Sequence, residues 1–213
     1  MSDVKPERDR RTRRAAETRE RIIDAAGRLF AERGYGATTI DAVATEADVA
    51  VETVYARFRN KRNLLSAYLD VAIVGDSEPV AVLDRPEAKA VRHAADPCEQ
   101  VRLAAGLARQ IHERNATAHA VLRSAAPVEP DAAAILEEDE RRRLATQHAF
   151  VEMVAASGGL RTGLSVDDAA DTLSVIACPE TYAALTRRGW SADRYQTWLE
   201  ETLPLVLLDP PAE

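Results

Sequence analysis

An all-helical fold is predicted by three features of the 213-residue sequence. Ala, Leu, Glu and Arg abound, while β-branched and aromatic runs are few, which favours helix over strand. Apolar residues recur at helical spacing in windows bounded by Gly, Pro or capping residues. No segment keeps the period of two that a half-buried strand needs, and there is no internal repeat. Apolar residues make up 46% of the chain and charged ones 30%. That is enough for a real core and for a soluble helical surface.

The elements follow in order. Residues 1–17 are polar and hold Arg8, Arg10, Arg11, Arg13 and Arg14, diluted by Asp3, Glu7 and Asp9. They read as a basic flexible arm, equally a frayed helix start or an arm that meets phosphates. Ile22, Ala26, Leu29 and Phe30 then place an amphipathic helix at about 18–33, ended by Gly34 and Gly36 around Tyr35. Thr38-Thr39-Ile40-Asp41 reads as a capping box, opening a second helix to about 46. After a short turn at 47–50, a third helix covers about 51–58 with Val54, Tyr55 and Phe58 inward. Asn60 can cap a fourth helix carrying Leu64, Leu65, Tyr68 and Leu69.

Between Gly75 and Pro97, prolines at 79, 86 and 97 predict a loop with at most one short helix. Long helices are expected at about 97–125 and 131–157, separated by Pro127 and Pro130 and stopped by Gly158-Gly159. The next is expected from about 165 to 188 with a bend at Pro179, and the last at about 192–208 with Pro204 disturbing its final turns. The run Glu137 to Arg143 reads as a solvated helix face with i,i+4 pairs.

The net charge of −7 conceals an asymmetry. Residues 1–66 carry 14 Lys and Arg against 11 Asp and Glu, whereas residues 67–213 carry 14 against 24. A polyanion would approach the first third of the chain and be repelled by the rest. Cys98 and Cys178 lie far apart in no CxxC or Cys/His cluster, and are expected to be reduced, buried thiols. No signal peptide and no long apolar run is visible, so a cytoplasmic protein without a membrane partner is expected.

Three short helices, the second and third joined by a tight turn, form a helix-turn-helix pattern. A third helix of eight residues is roughly 12 Å long, matching a major groove about 12 Å wide. Its buried face docks on the first two helices. The opposite face, with Glu52, Thr53, Ala56 and Arg57, is left to read base edges.

The residues Thr39-Ile40-Asp41-Ala42-Val43-Ala44, Ala47-Asp48-Val49, Glu52 to Phe58, Asn60-Lys61 and Leu64-Leu65 resemble the DNA-binding domain of the TetR family of repressors. The resemblance covers about residues 18–68. Weaker similarity near the C-terminus, at Pro179 to Tyr182 and Gly189 to Leu199, resembles the dimer-forming last helices of some members. Beyond the basic arm read at 1–17, the resemblance implies a DNA-binding domain at 18–66 and a helical effector-binding and dimerisation domain at 67–213. It also implies a homodimer on a palindromic double-stranded operator, a small-molecule effector and no cofactor. Thr38 and Thr39 resemble the family's phosphate contacts at a helix N-terminus, where the dipole favours an anion. Tyr55 resembles a position whose hydroxyl reaches a phosphate, and Lys61 matches a backbone-clamping lysine. The chain departs from the family at Asp48 and Ala50, where Gly and Ser are frequent. Loss of the Ser cap weakens the third helix, and Glu52 compensates through the dipole.

Other classes fit less well. No GxSxG, GxGxxG, P-loop or HExxH occurs, so an enzyme is not expected. His112 and His119 share a helix face by spacing, but a metal site would need a third ligand. An all-helical interaction or metal-binding protein without DNA binding is the alternative. No Phe, Tyr or Trp falls between Tyr68 and Phe150. An effector pocket is therefore expected to have aliphatic walls, with Arg109, His112, His119 and Arg123 as polar handles.

Overall fold

The computed structural model describes residues 5–75 and 84–210, with side chains at residue 10 and from residue 12 onward. Ten helices make up the described part, and no strand is present among the described residues beyond an isolated bridge between Leu160 and Leu208. They are α1 (Lys5–Ala37), α2 (Ile40–Glu46), α3 (Val51–Phe58), α4 (Lys61–Val74), α5 (Pro86–Arg92), α6 (Pro97–Ala125), α7 (Pro130–Ala156), α8 (Val166–Ile176), α9 (Pro179–Thr186) and α10 (Ala192–Leu207).

α1 is longer than the sequence pattern predicts. The segment expected to be a flexible arm is helical from Lys5. Ala15, Ala16 and the surrounding Arg and Glu are strong helix formers, and Arg13 pairs with Glu17 one turn on at 3.4 Å. Residues 1–4 of that arm, and the side chains of Arg8 and Arg11, lie outside the described residues. At the other end Gly34 leaves the helix with φ 79°, a conformation glycine adopts without a Cβ clash.

Two compact units divide the chain. The first joins Met1–Glu78 to Thr117–Leu136, the second Pro79–Ala116 to Glu137–Glu213. Packing draws the end of α6 and the start of α7 into the unit that holds α1 to α4, so the compact units do not follow a single cut at residue 66. There Ile22, Ile23, Phe30, Val43, Val54, Leu64, Leu65 and Leu69 share a core with Val121, Leu122 and Ile135. α1 and α4 approach closely because Gly27 has no side chain: a Cβ there would run into the Tyr68 ring.

The second unit has its own core of Val101, Val151, Val154, Leu173, Tyr195, Leu199, Leu203 and Leu207. The single bent helix expected at about 165–188 is two helices. Pro179 has no N–H to continue α8, so it opens α9 at the first helical position, where that N–H would be unpaired anyway. Pro204, in contrast, is accommodated inside α10, which runs on to Leu207. Cys178 is buried as expected but Cys98 is exposed. The acidic-basic run on α7 forms local pairs, Arg141 with Glu138 at 2.6 Å and Arg143 with Asp139 at 3.6 Å, although Asp139 is buried. Among the described residues, no helix is long and apolar enough to cross a membrane. None of their His, Cys, Asp and Glu side chains forms a group of three or more able to hold a metal ion.

Candidate nucleic-acid interface

α2 begins at Thr39, whose hydroxyl accepts a hydrogen bond from the Ala42 N–H at 3.1 Å and so satisfies one of the free donors of the first turn. Thr39 is exposed there. Its neighbour Thr38 is not. Thr38 is 1% exposed, and its hydroxyl donates to the carbonyls of Leu29 at 3.2 Å and Gly34 at 2.8 Å. The expected phosphate role of Thr38 is thus corrected to a structural one. It fastens the kinked end of α1, and its hydroxyl is spent inside the fold.

The turn from α2 to α3 closes through Val49 N–H to Ala44 O at 3.0 Å. Asp48 sits in it with φ 52°, left-handed backbone. That explains why glycine suits this position, and Asp is among the few other residues that tolerate it. Ala50 starts α3 with no side-chain cap. Asp48→Gly is expected to keep or raise stability, whereas Asp48→Val should cost about 1–2 kcal/mol, read from denaturant unfolding. Ala50→Ser should add about 1 kcal/mol by supplying the missing cap, measured in the same way.

α3 is strongly two-faced. Val54 and Phe58 are buried against the head, while Glu52, Tyr55, Ala56 and Arg57 are exposed and Thr53 is half-buried. Tyr55 was expected to face inward, yet it is 49% exposed, which leaves its hydroxyl available to a partner. Five of the predicted contact residues therefore lie along one short helix whose opposite face is fixed by the core. Asn60 caps α4 as expected, accepting from Asn63 N–H at 2.8 Å. Arg28 of α1 reaches Glu46 of α2 at 3.1 Å, an exposed pair that steadies the head only slightly.

Lys61 is less free than its expected role requires. Its Nζ donates to the carbonyls of Tyr35 at 3.0 Å and Gly36 at 3.3 Å and lies 4.3 Å from the Tyr35 ring centroid. It ties the start of α4 to the end of α1. An ammonium has three donors, so one remains for a phosphate. Beneath it Tyr35 is buried, and burial pushes its hydroxyl up to about 12, assisted by Asp131 and Glu129 from the start of α7 and opposed by Arg62. A Cβ on Gly36 would meet the Glu129 carboxylate at 2.9 Å. Sequence reasoning missed Tyr35, Glu129 and Asp131 as a group, because nothing local signals a meeting of segments some 95 residues apart.

The four expected effector handles do not gather in one unit. His112 and Arg109 belong to the second and His119 and Arg123 to the first. Arg123 is exposed and His119 is buried. Arg109 is engaged by Glu113 at 3.0 Å and Asp193 at 2.9 Å. His112 is buried, with Nδ1 3.1 Å from the Tyr195 hydroxyl and its ring beside Tyr182. Purely aliphatic surroundings do not hold at His112, since α9 and α10 bring the aromatic rings that the middle of the chain lacks.

A two-faced third helix behind a tight turn, on a buried three-helix head, is the arrangement shared with known regulators. Residues 22–68 match the family model described as bacterial regulatory proteins, tetR family. Over that segment the chain is similar to regulators of the TetR family. The regulator TtgR of Pseudomonas putida is 45% identical over 62 residues, 29% of this chain and 30% of that one. YvkB of Bacillus subtilis, a regulator of the same helix-turn-helix type, is 42% identical over 52 residues, 24% of this chain and 28% of that one. The matches thus span about three-tenths of those relatives' length. Beyond that segment the fold carries the likeness. A TetR-family regulator from Syntrophomonas wolfei superposes with TM-score 0.72 at 19% identity, over 90% of this chain and 97% of that one. A regulator from Saccharomonospora viridis, solved with choline, gives 0.66 at 20% identity over 91% and 99%.

Proposed function

We propose that this chain is a sequence-specific transcriptional regulator of the TetR family, not an enzyme, that binds a palindromic operator as a homodimer and releases it when a small molecule binds. The observation that carries this reading is α3. Its Val54 and Phe58 are locked into the head while Glu52, Thr53, Tyr55, Ala56 and Arg57 form one outward face. Arg57 can donate in bidentate fashion to guanine, Glu52 can accept from cytosine, and Thr53 can do either. Thr39, Tyr55 and the third donor of Lys61 supply phosphate contacts that set register. In this reading residues 18–66 bind DNA, and residues 67–213 dimerise and hold the effector. Two heads then enter successive major grooves about 34–36 Å apart. An effector that prefers the state with the heads spread apart weakens DNA binding by that preference and no more. Arg109, His112 and the rings around His112 are the candidates for contact with it, and repression is the direction typical of the family.

Dimerisation through α8 and α10 is supported by the apolar side chains they leave in solvent. Val175 is 68% exposed and Leu205 76%. Val175→Asp combined with Leu205→Glu should convert the dimer to a monomer in sedimentation velocity, leaving helical content intact. A dimer that survives both changes rules out this interface. Trp190 and Trp198 are half-buried against one another within the protomer, edge to face at 6.1 Å, so they report on dimerisation only at second hand.

The reading is tested by selecting duplexes from a random pool with the full-length protein. Recovery of a two-fold-symmetric sequence is expected. Recovery of a mixture bound no better than the starting pool would reject it.

A further inference from the structure

The second unit buries hydrogen-bonding groups that its own fold does not use. On α6, Asn115 is 3% exposed, yet its side-chain oxygen has no hydrogen-bond partner among the described residues. A buried amide left unpaired costs stability, so one that is kept calls for an explanation. Asn115 follows His112 by one turn and shares its buried face of α6. On α7, Gln147 gives its Nε2 to the carbonyl of Ala177 at 3.2 Å, and its buried Oε1 is unpaired. That bond fixes which end of the amide is free, and the free end is an acceptor. It also brings Gln147 to the junction where α9, the helix of Tyr182, begins. Arg109, one turn before His112, has a buried Nε without a partner, which is a donor.

Charge is not what these groups lack. The terminal nitrogens of Arg109 are held by Glu113 at 3.0 Å and Asp193 at 2.9 Å, so its charge is already matched. A carboxylate arriving there would meet Glu113 and amide oxygens. A quaternary ammonium could lie over a ring but has no N–H for Gln147. The fitting group is neutral, both donates and accepts, and has a flat surface beside it. Tyr182 and Tyr195 provide rings for that surface, with centroids 6.1 and 5.9 Å from that of His112. His112 itself is turned to the Tyr195 hydroxyl at 3.1 Å. An amide carries donor and acceptor side by side, and it pairs with the Asn115 amide whichever way that side chain is turned.

We infer that the second unit binds a neutral aromatic carboxamide or lactam, whose ring lies beside Tyr182 and whose amide takes up the unpaired groups of Asn115 and Gln147. This names a chemical class for the effector and rests on the regulatory function proposed above.

The test unfolds the full chain by heat, followed by circular dichroism, with four probes at equal millimolar concentration. They are benzamide, acetophenone, benzoate and benzyltrimethylammonium. Acetophenone has the shape of benzamide without its N–H. Benzamide should raise the midpoint and bind about tenfold or more tightly than acetophenone, while the two ions leave the midpoint unmoved. Asn115→Leu keeps the branched shape and removes the unpaired amide. Without a probe the variant should unfold at or above the wild-type midpoint, and its response to benzamide should disappear. A wild type that responds equally to benzamide and acetophenone, or to neither, would overturn the amide class. So would an Asn115→Leu variant that keeps the benzamide response. A variant midpoint several degrees below the wild type, with no discrimination among probes by the wild type, would make Asn115 a structural group and reject the site. The same probes are then added to the protein on a duplex recovered from the random pool. Benzamide that binds without releasing DNA would leave this site standing and defeat its reading as the effector's. Release by benzoate or the ammonium alone would keep the regulatory reading and reject the amide.

Discussion

Arg57→Ala should lower affinity for the selected operator by about 1–3 kcal/mol while leaving binding to random duplex much less affected. Arg57 is exposed in the last turn of α3, and its immediate neighbour Phe58 is 5% exposed and holds the helix in place. A guanidinium so placed can form two parallel hydrogen bonds to one guanine, and alanine leaves that base unread. The loss should concentrate at one base pair in each half-site when all substitutions are compared. Thr53→Ala should act at a neighbouring base pair with a smaller effect, because Thr53 is half-buried and offers one hydroxyl. Equal losses on operator and random DNA, measured by competition titration, would reassign Arg57 to phosphate contact.

Lys61→Ala should be felt twice. Two hydrogen bonds to the carbonyls of Tyr35 and Gly36 disappear, together with the cation over the Tyr35 ring. Unfolding free energy should fall by about 1–3 kcal/mol. DNA affinity should fall similarly on every sequence, with the salt slope reduced by about 1 for the phosphate that Lys61 no longer neutralises. Lys61→Met keeps most of the aliphatic bulk while removing the charge and both hydrogen bonds, so it should retain a small part of the stability and show the same change in slope. If affinity falls while the slope stays at the wild-type value, Lys61 acts only by fastening α4 to α1, and the phosphate role is wrong.

Much of the head was legible because its signals are local. Val51–Phe58 was bounded by a turn on one side and an Asn cap on the other, and Thr39 announced α2 by its side chain. Two misreadings have clear physical causes. Thr38 and Thr39 look alike in sequence, but only the first is drawn inward, since Gly34 breaks α1 and leaves carbonyls that the Thr38 hydroxyl satisfies. Pro179 was read as a bend because apolar spacing continues across it; a missing N–H at the start of a helix is harmless, so the chain begins α9 there. The helical arm was hidden by its charge, which resembles that of a disordered tail. The Tyr35, Lys61, Glu129 and Asp131 group and the rings around His112 depend on contacts between distant segments, and no period or cap encodes those.

The surroundings of His112 bear on the effector class. Tyr182 and Tyr195 meet edge to face at 5.0 Å and both lie within about 6 Å of the imidazole. Under the effector reading proposed above, a ligand beside His112 would meet rings as well as aliphatic side chains, which adds ring stacking and cation–π contact to its means of recognition.

Whether the outward face of α3 reads a symmetric DNA sequence is decided by selecting duplexes from one random pool with the wild type and with Arg57→Ala, then comparing the recovered sequences. The wild type should yield two inverted half-sites whose centres are separated by about one helical turn, 10–10.5 base pairs, or a multiple of it. Arg57→Ala should yield the same spacing with one position in each half-site relaxed. Identical recovered sequences for the two proteins, or no enrichment with the wild type, would contradict the claim.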